Sequence, residues 1–119
     1  MAWPALALVT KFGPVERPVV LRAGDLRLDP RSKQVWRDAT AISLSAKEFL
    51  LLETFMRRPG EVLDRFQLLE HAWDDAYENR SNVVDVYVRY LREKIDRPFG
   101  HGSLQTVRGV GYRLDGSGR

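Results

Sequence analysis

Asn82-Val83-Val84-Asp85-Val86-Tyr87-Val88-Arg89-Tyr90-Leu91-Arg92-Glu93-Lys94-Ile95 is the stretch on which the fold turns. Val84, Val88, Leu91 and Ile95 step by four, three and four residues, which places them on one buried stripe of an α-helix. With Ser81 or Asn82 as its cap, the helix is expected to run to about Asp96. Its other face carries Asn82, Asp85, Val86, Arg89, Tyr90 and Glu93, with Arg92 at the edge, so that face is left to meet a ligand.

After this helix come Pro98 and the glycines at 100 and 102. Leu104 to Arg108 and Gly111 to Leu114 then flank Gly109-Val110, which reads as a β-hairpin. Before it lies a polar loop, Asp74 to Arg80, with Asp74, Asp75 and Glu78. Without a glycine at its turn or alternating oxygen ligands, this loop reads as a solvated contact surface rather than a calcium site. Two further helices precede the loop, each opened by a capping box. Ser45-Ala46-Lys47-Glu48 introduces Phe49, Leu52, Phe55 and Met56 as inward positions and is stopped by Pro59-Gly60. Asp64-Arg65-Phe66-Gln67 introduces Phe66, Leu69, Ala72 and Trp73 as inward positions. From Val19 to Leu44, the short apolar runs Val19 to Leu21, Leu26 to Leu28, Gln34 to Trp36 and Ile42 to Leu44 are separated by turn residues. They predict a small antiparallel sheet.

The fold class is therefore α+β: a winged helix-turn-helix with a small N-terminal antiparallel sheet, three helices and a C-terminal hairpin wing. The domain is expected over residues 19–115. Residues 1–18, with three of the six prolines, are expected as a linker or disordered lead-in, and 116–119 as a disordered tail. At 119 residues, with 44% hydrophobic and 29% charged composition, the chain suits one globular core. The apolar run Ala5 to Val9 is too short to cross a bilayer, and a cytoplasmic, membrane-free protein is expected. The absence of cysteine excludes disulfides and cysteine-ligated zinc. His71 and His101, the two histidines, stand in no triad-like or zinc-binding arrangement, so neither an enzyme, a metal nor a cofactor is expected.

Charge sets the ligand class. Nineteen Lys and Arg against sixteen Asp and Glu give a net charge of +3, and Arg89, Arg92, Lys94, Arg97, Arg108 and Arg113 all fall in the last third. Guanidinium forks at Arg89 and Arg92 suit phosphate or a guanine edge, Asn82 suits adenine, and Val86 suits a thymine methyl. Arg108, just before Gly109, can project from a tight turn into a narrow minor groove. Trp73 and Tyr112 read either as packing residues or, through indole N–H and phenol O–H, as phosphate contacts.

Leu44-Ser45-Ala46-Lys47-Glu48-Phe49-Leu50-Leu51-Leu52, the long helix, and Thr106-Val107-Arg108-Gly109-Val110-Gly111-Tyr112-Arg113-Leu114 together resemble the OmpR/PhoB-type response-regulator output domain. That resemblance covers roughly Val19 to Asp115. It implies an N-terminal four-stranded antiparallel sheet and hairpin strands paired with a short strand near Val62-Leu63, and it implies a winged helix with the third helix in the major groove of double-stranded DNA. On this chain Val83, Asp85, Val86, Arg89, Tyr90 and Arg92 would face DNA, Trp73, Thr106 and Tyr112 would hold phosphates, and Arg108 would enter the minor groove. It implies self-association on a direct-repeat operator and contact with RNA polymerase through loop 74–80. A cognate histidine kinase would act on a receiver domain, which the eighteen lead-in residues cannot form. Many relatives carry basic residues where Asn82 and Tyr90 stand, so the base preference here is this chain's own; glycine commonly follows the tryptophan, where this chain has Asp74 at the start of the polymerase-contact loop. The alternative reading is a winged-helix protein-interaction module using the acidic loop.

Overall fold

In the computed structural model, which describes residues 19–73 and 81–119, Gly24 (φ 62°), Lys33 (φ 63°) and Asp38 (φ 54°) take left-handed backbone at three successive turns. The strands these turns connect are β1 (Leu21–Ala23), β2 (Leu26–Asp29), β3 (Gln34–Arg37) and β4 (Thr40–Ile42), which form one antiparallel sheet in chain order. Leu28 pairs with Leu21 and Val35, and Val35 with Ile42, so one apolar row faces the helices. Arg22, Arg27, Trp36 and Ala41 form the neighbouring row on the other face. The fourth strand lies two residues before its expected place, because a two-residue turn at Asp38-Ala39 pairs Thr40 with Arg37 directly.

Helices α1 (Ala46–Met56) and α2 (Arg65–Ala72) start where their capping boxes stand. Ser45 Oγ accepts from the Glu48 amide at 3.2 Å while Glu48 Oε1 accepts from the Ser45 amide at 2.8 Å, and Asp64 and Gln67 repeat the exchange at 2.8 and 2.9 Å. Glu48 is further bound by Lys94 at 2.7 Å, which ties α1 to the far end of the third helix. That helix, α3 (Ser81–Leu91), continues into a π-helical turn at Arg92–Asp96. Val84, Val88, Leu91 and Ile95 are all buried, as their spacing requires. Ser81 and Asn82, the expected caps, are the first two residues of the helix as described.

Phe66 departs from the sequence reading: it is 82% exposed, and Leu68, Leu69 and Ala72 fill the core instead. Leu68 and Ala72, four residues apart, set the inward line of this short helix. Phe66 lies about 200° around the axis from Leu68. Within the expected tail, residues 117 and 118 fold back against the first hairpin turn. Ser117 and Gly118 bond back to Asp115, Gly118 is buried, and a Cβ added at Gly24 would come within 1.9 Å of the Ser117 carbonyl. The lead-in 1–18 and the loop 74–80 lie outside the described residues.

β5 (Leu104–Val107) and β6 (Gly111–Leu114) form the hairpin, and Leu63 bridges Tyr112 through reciprocal amide–carbonyl bonds of 2.8 and 2.9 Å. The bridge needs glycine at 111, where a Cβ would lie 2.1 Å from the Leu63 carbonyl oxygen.

A buried charged network centred on Arg37 sits inside this core. Arg37, 1% exposed, donates from Nε to the Ile95 carbonyl (2.6 Å) and from Nη1 to Asp25 (2.7 Å) and the Gly118 carbonyl (2.6 Å). Its Nη2 donates to Asp96 (3.1 Å) and Ser103 Oγ (3.3 Å). Asp96 in turn accepts from Ser103 Oγ at 2.5 Å and the Leu104 amide at 3.0 Å. A buried guanidinium is tolerated when its donors are met in this way, and removing one member strands the others. Arg37→Ala is expected to lower folding stability by about 3–5 kcal/mol, read from urea midpoints, because it leaves Asp96 buried and without its cation. Gly111→Ala is expected to cost about 1–3 kcal/mol in the same measurement, since the bridge to Leu63 must open.

Candidate nucleic-acid interface

The outer face of α3 carries Asn82, Arg89 and Tyr90 exposed, with Val83 and Val86 half-buried between them. Tyr90, 42% exposed, ends an aromatic ladder. Its ring meets Tyr87 edge-on at 5.4 Å, and Tyr87 meets Trp73 edge-on at 5.4 Å. Trp73 itself is only 5% exposed, with the Lys47 ammonium 5.6 Å from its ring centre. Its Nε1 is buried and has no hydrogen-bond acceptor among the described residues.

At the wing, Val107 pairs with Gly111, so the loop is Arg108-Gly109-Val110, three residues rather than the two expected. The Val110 amide closes on the Val107 carbonyl at 3.0 Å, and Gly109 takes φ 75°, open to glycine without strain. Arg108 and Val110 are exposed on this tip, and Thr106 is exposed on the strand below it.

Between helix and wing lies a polar cluster. The Tyr112 hydroxyl donates to Asp85 Oδ1, and Arg65 Nη2 donates to both Asp85 oxygens at 3.0 and 3.2 Å. Arg92 donates from Nε to the Leu104 carbonyl at 2.9 Å and from Nη2 to Thr106 Oγ1 at 2.7 Å. The Arg65 and Arg92 guanidiniums stand 6.0 and 5.7 Å from the Tyr112 ring centre. The structure thus divides the residues expected to face DNA. Asn82, Val86, Arg89, Tyr90, Thr106 and Arg108 lie on the outer surface, while Val83 is half-buried and packs against the core. Asp85, Arg92 and Tyr112 instead turn their polar groups to partners within the protein, and Tyr112 is only 6% exposed. The physical reason is that helix and wing meet along this line, so polar groups there satisfy one another.

Arg65 was not singled out from sequence. It is the first residue of α2, directly after the Asp64 cap, and its signal was a long cation at a helix start facing the neighbouring helix. Burial first, then the hydrogen bond and charge of Asp85, push the Tyr112 phenol above the ordinary tyrosine range, against the opposing charges of Arg65 and Arg92.

A family model described as "Transcriptional regulatory protein, C terminal" matches residues 39–114. The chain belongs to this family. Among its relatives is the transcriptional regulatory protein TcrA of Mycobacterium tuberculosis, 63% identical over 109 residues that cover 92% of this chain and 43% of TcrA. CusR of Escherichia coli is 46% identical over 94 residues, covering 79% and 41% respectively. The chain therefore spans less than half the length of these curated relatives. Of solved structures, the OmpR/PhoB homolog DrrB of Thermotoga maritima superposes with a TM-score of 0.72 at 32% identity, covering 92% of this chain and 50% of DrrB. The DNA-binding domain of RstA from Klebsiella pneumoniae, solved in complex with the RstA box, superposes with a TM-score of 0.71 at 28% identity, covering 82% and 97%. The order of sheet, helices and wing is that of an OmpR/PhoB-type domain.

In this family member the raised phenol carries a pH consequence. A proton held more tightly in the folded state stabilises the fold below the unfolded tyrosine pKa, and that contribution is lost as pH rises beyond about 10. Tyr112→Phe is expected to flatten the alkaline limb of a stability-against-pH curve measured by denaturant unfolding. An unchanged limb would place the alkaline loss elsewhere.

Proposed function

We infer that this domain is the DNA-binding output domain of a two-component transcription regulator, with α3 in the major groove of double-stranded DNA and the wing in the adjacent minor groove. The observation that carries the reading is a pair of exposed guanidiniums on two elements, Arg89 on the outer face of α3 and Arg108 on the wing tip. Arg89 suits a guanine edge or a phosphate. Arg108 suits the negative potential of a narrow minor groove. Asn82, Val86 and Tyr90 complete the surface that meets base edges, and Thr106 offers a hydroxyl to the backbone. Trp73, Val83, Asp85, Arg92 and Tyr112 support that surface from beneath.

The same reading places the regulator in the cytoplasm, and among the described residues no helix is long and apolar enough to cross a membrane. It assigns the loop 74–80 to contact with RNA polymerase, and pairs two copies on a direct repeat. A cognate histidine kinase would act on a receiver domain in the rest of the regulator.

Selection of bound sequences from a random duplex pool is expected to return direct repeats with half-sites about one helical turn apart. Arg89→Ala and Arg108→Ala are each expected to weaken binding to the selected site by about 1–3 kcal/mol in titrations at fixed salt. Affinity unchanged in both variants would remove these residues from the interface. A pool without enrichment, joined to salt-independent capture of a protein, would favour the protein-interaction module instead.

A further inference from the structure

We propose that Arg92 is a positioning residue that fixes the wing to the recognition helix, rather than a group that binds DNA itself; the proposal rests on the DNA-binding reading above. Arg92 opens the π-helical turn at the end of α3, where the chain is re-aimed relative to a regular helix. The Nε–Nη2 edge of its guanidinium is one of the two edges that can chelate a phosphate. Here both atoms are taken by wing oxygens, the Leu104 carbonyl and Thr106 Oγ1.

Arg92 and Asp85 both reach the wing at one rung. Thr106 on β5 and Tyr112 on β6 are register partners, one rung below the Val107–Gly111 pair that bounds the tip. Arg92 touches both, through the Thr106 hydroxyl and across the Tyr112 ring at 5.7 Å. Asp85 takes the Tyr112 hydroxyl from a point seven residues earlier, two helical turns along the same face of α3. Two attachments at different heights on one helix fix the tilt of the hairpin, and with it the direction in which Arg108 leaves the tip.

The test is a double-variant cycle on DNA affinity and its salt dependence, with the selected operator duplex as probe. In the otherwise unaltered domain Arg108→Ala is expected to weaken binding about tenfold. In an Arg92→Ala background the same change is expected to weaken it less than about twofold, because a wing already loose no longer delivers Arg108. The double variant is expected to keep the salt slope of Arg108→Ala alone. Arg92→Lys is expected to resemble Arg92→Ala, since one ammonium cannot hold both wing oxygens. Thr106→Val, at an exposed position that leaves the core intact, is expected to reduce the effect of Arg108→Ala in the same way.

Multiplicative effects of the two arginines, a further loss of about one from the salt slope in the double variant, or full affinity in Arg92→Lys would each overturn the proposal and make Arg92 a phosphate contact. Absence of salt-dependent binding in the unaltered domain would instead overturn the DNA-binding reading, and this proposal with it.

Discussion

A single buried guanidinium holds the parts of this domain in register. Arg37 leaves β3 and reaches the end of the recognition helix at Ile95 and Asp96, the approach to the wing at Ser103, the first hairpin turn at Asp25, and the C-terminal carbonyl of Gly118. These five groups come from segments far apart in the chain. Hydrophobic burial is non-directional and would let the sheet, the helix and the hairpin slide against one another. A planar fork of donors fixes directions, and Asp96 passes that direction to the wing by accepting from the Leu104 amide. The gain is in geometry more than in energy, since buried ion pairs often contribute little net stability.

A second polar cluster works one layer outward. Arg65 from α2, Asp85 and Arg92 from the third helix, and Thr106 and Tyr112 from the wing meet around one phenol ring. The domain thus separates two tasks that charge alone does not distinguish. Arginines whose forks meet protein oxygens set the shape of the binding surface, whereas Arg89 and Arg108, exposed on the helix and at the tip, present charge outward. The aromatic ladder of Trp73, Tyr87 and Tyr90 braces the same helix from its other edge.

Much of the fold was legible in particular residues. The steps between Val84, Val88, Leu91 and Ile95 gave the third helix and its buried side, and the two capping boxes gave the starts of α1 and α2. Errors fell where a period could be counted from more than one origin or where a short element lacked enough turns to decide. Phe66 stands three residues before Leu69, a spacing that fits an inward stripe, while Leu68 and Ala72, four apart, set the real line. The tail looked like free chain because glycine and serine carry no packing signal, yet their smallness is what lets residues 117 and 118 lie against Gly24.

The sequence by itself determined the order and type of the elements, the buried stripe of the recognition helix and the glycine-tipped wing. Those depend on local periods, caps and turn conformations, which are written in neighbouring residues. Only the tertiary structure decided which arginines face outward and which are turned inward, why Arg37 is buried, and why Asp85 and Tyr112 meet each other rather than a ligand. These depend on contacts between residues 12 to 81 positions apart, and spacing along the chain carries no record of which donor will find which acceptor across such a distance.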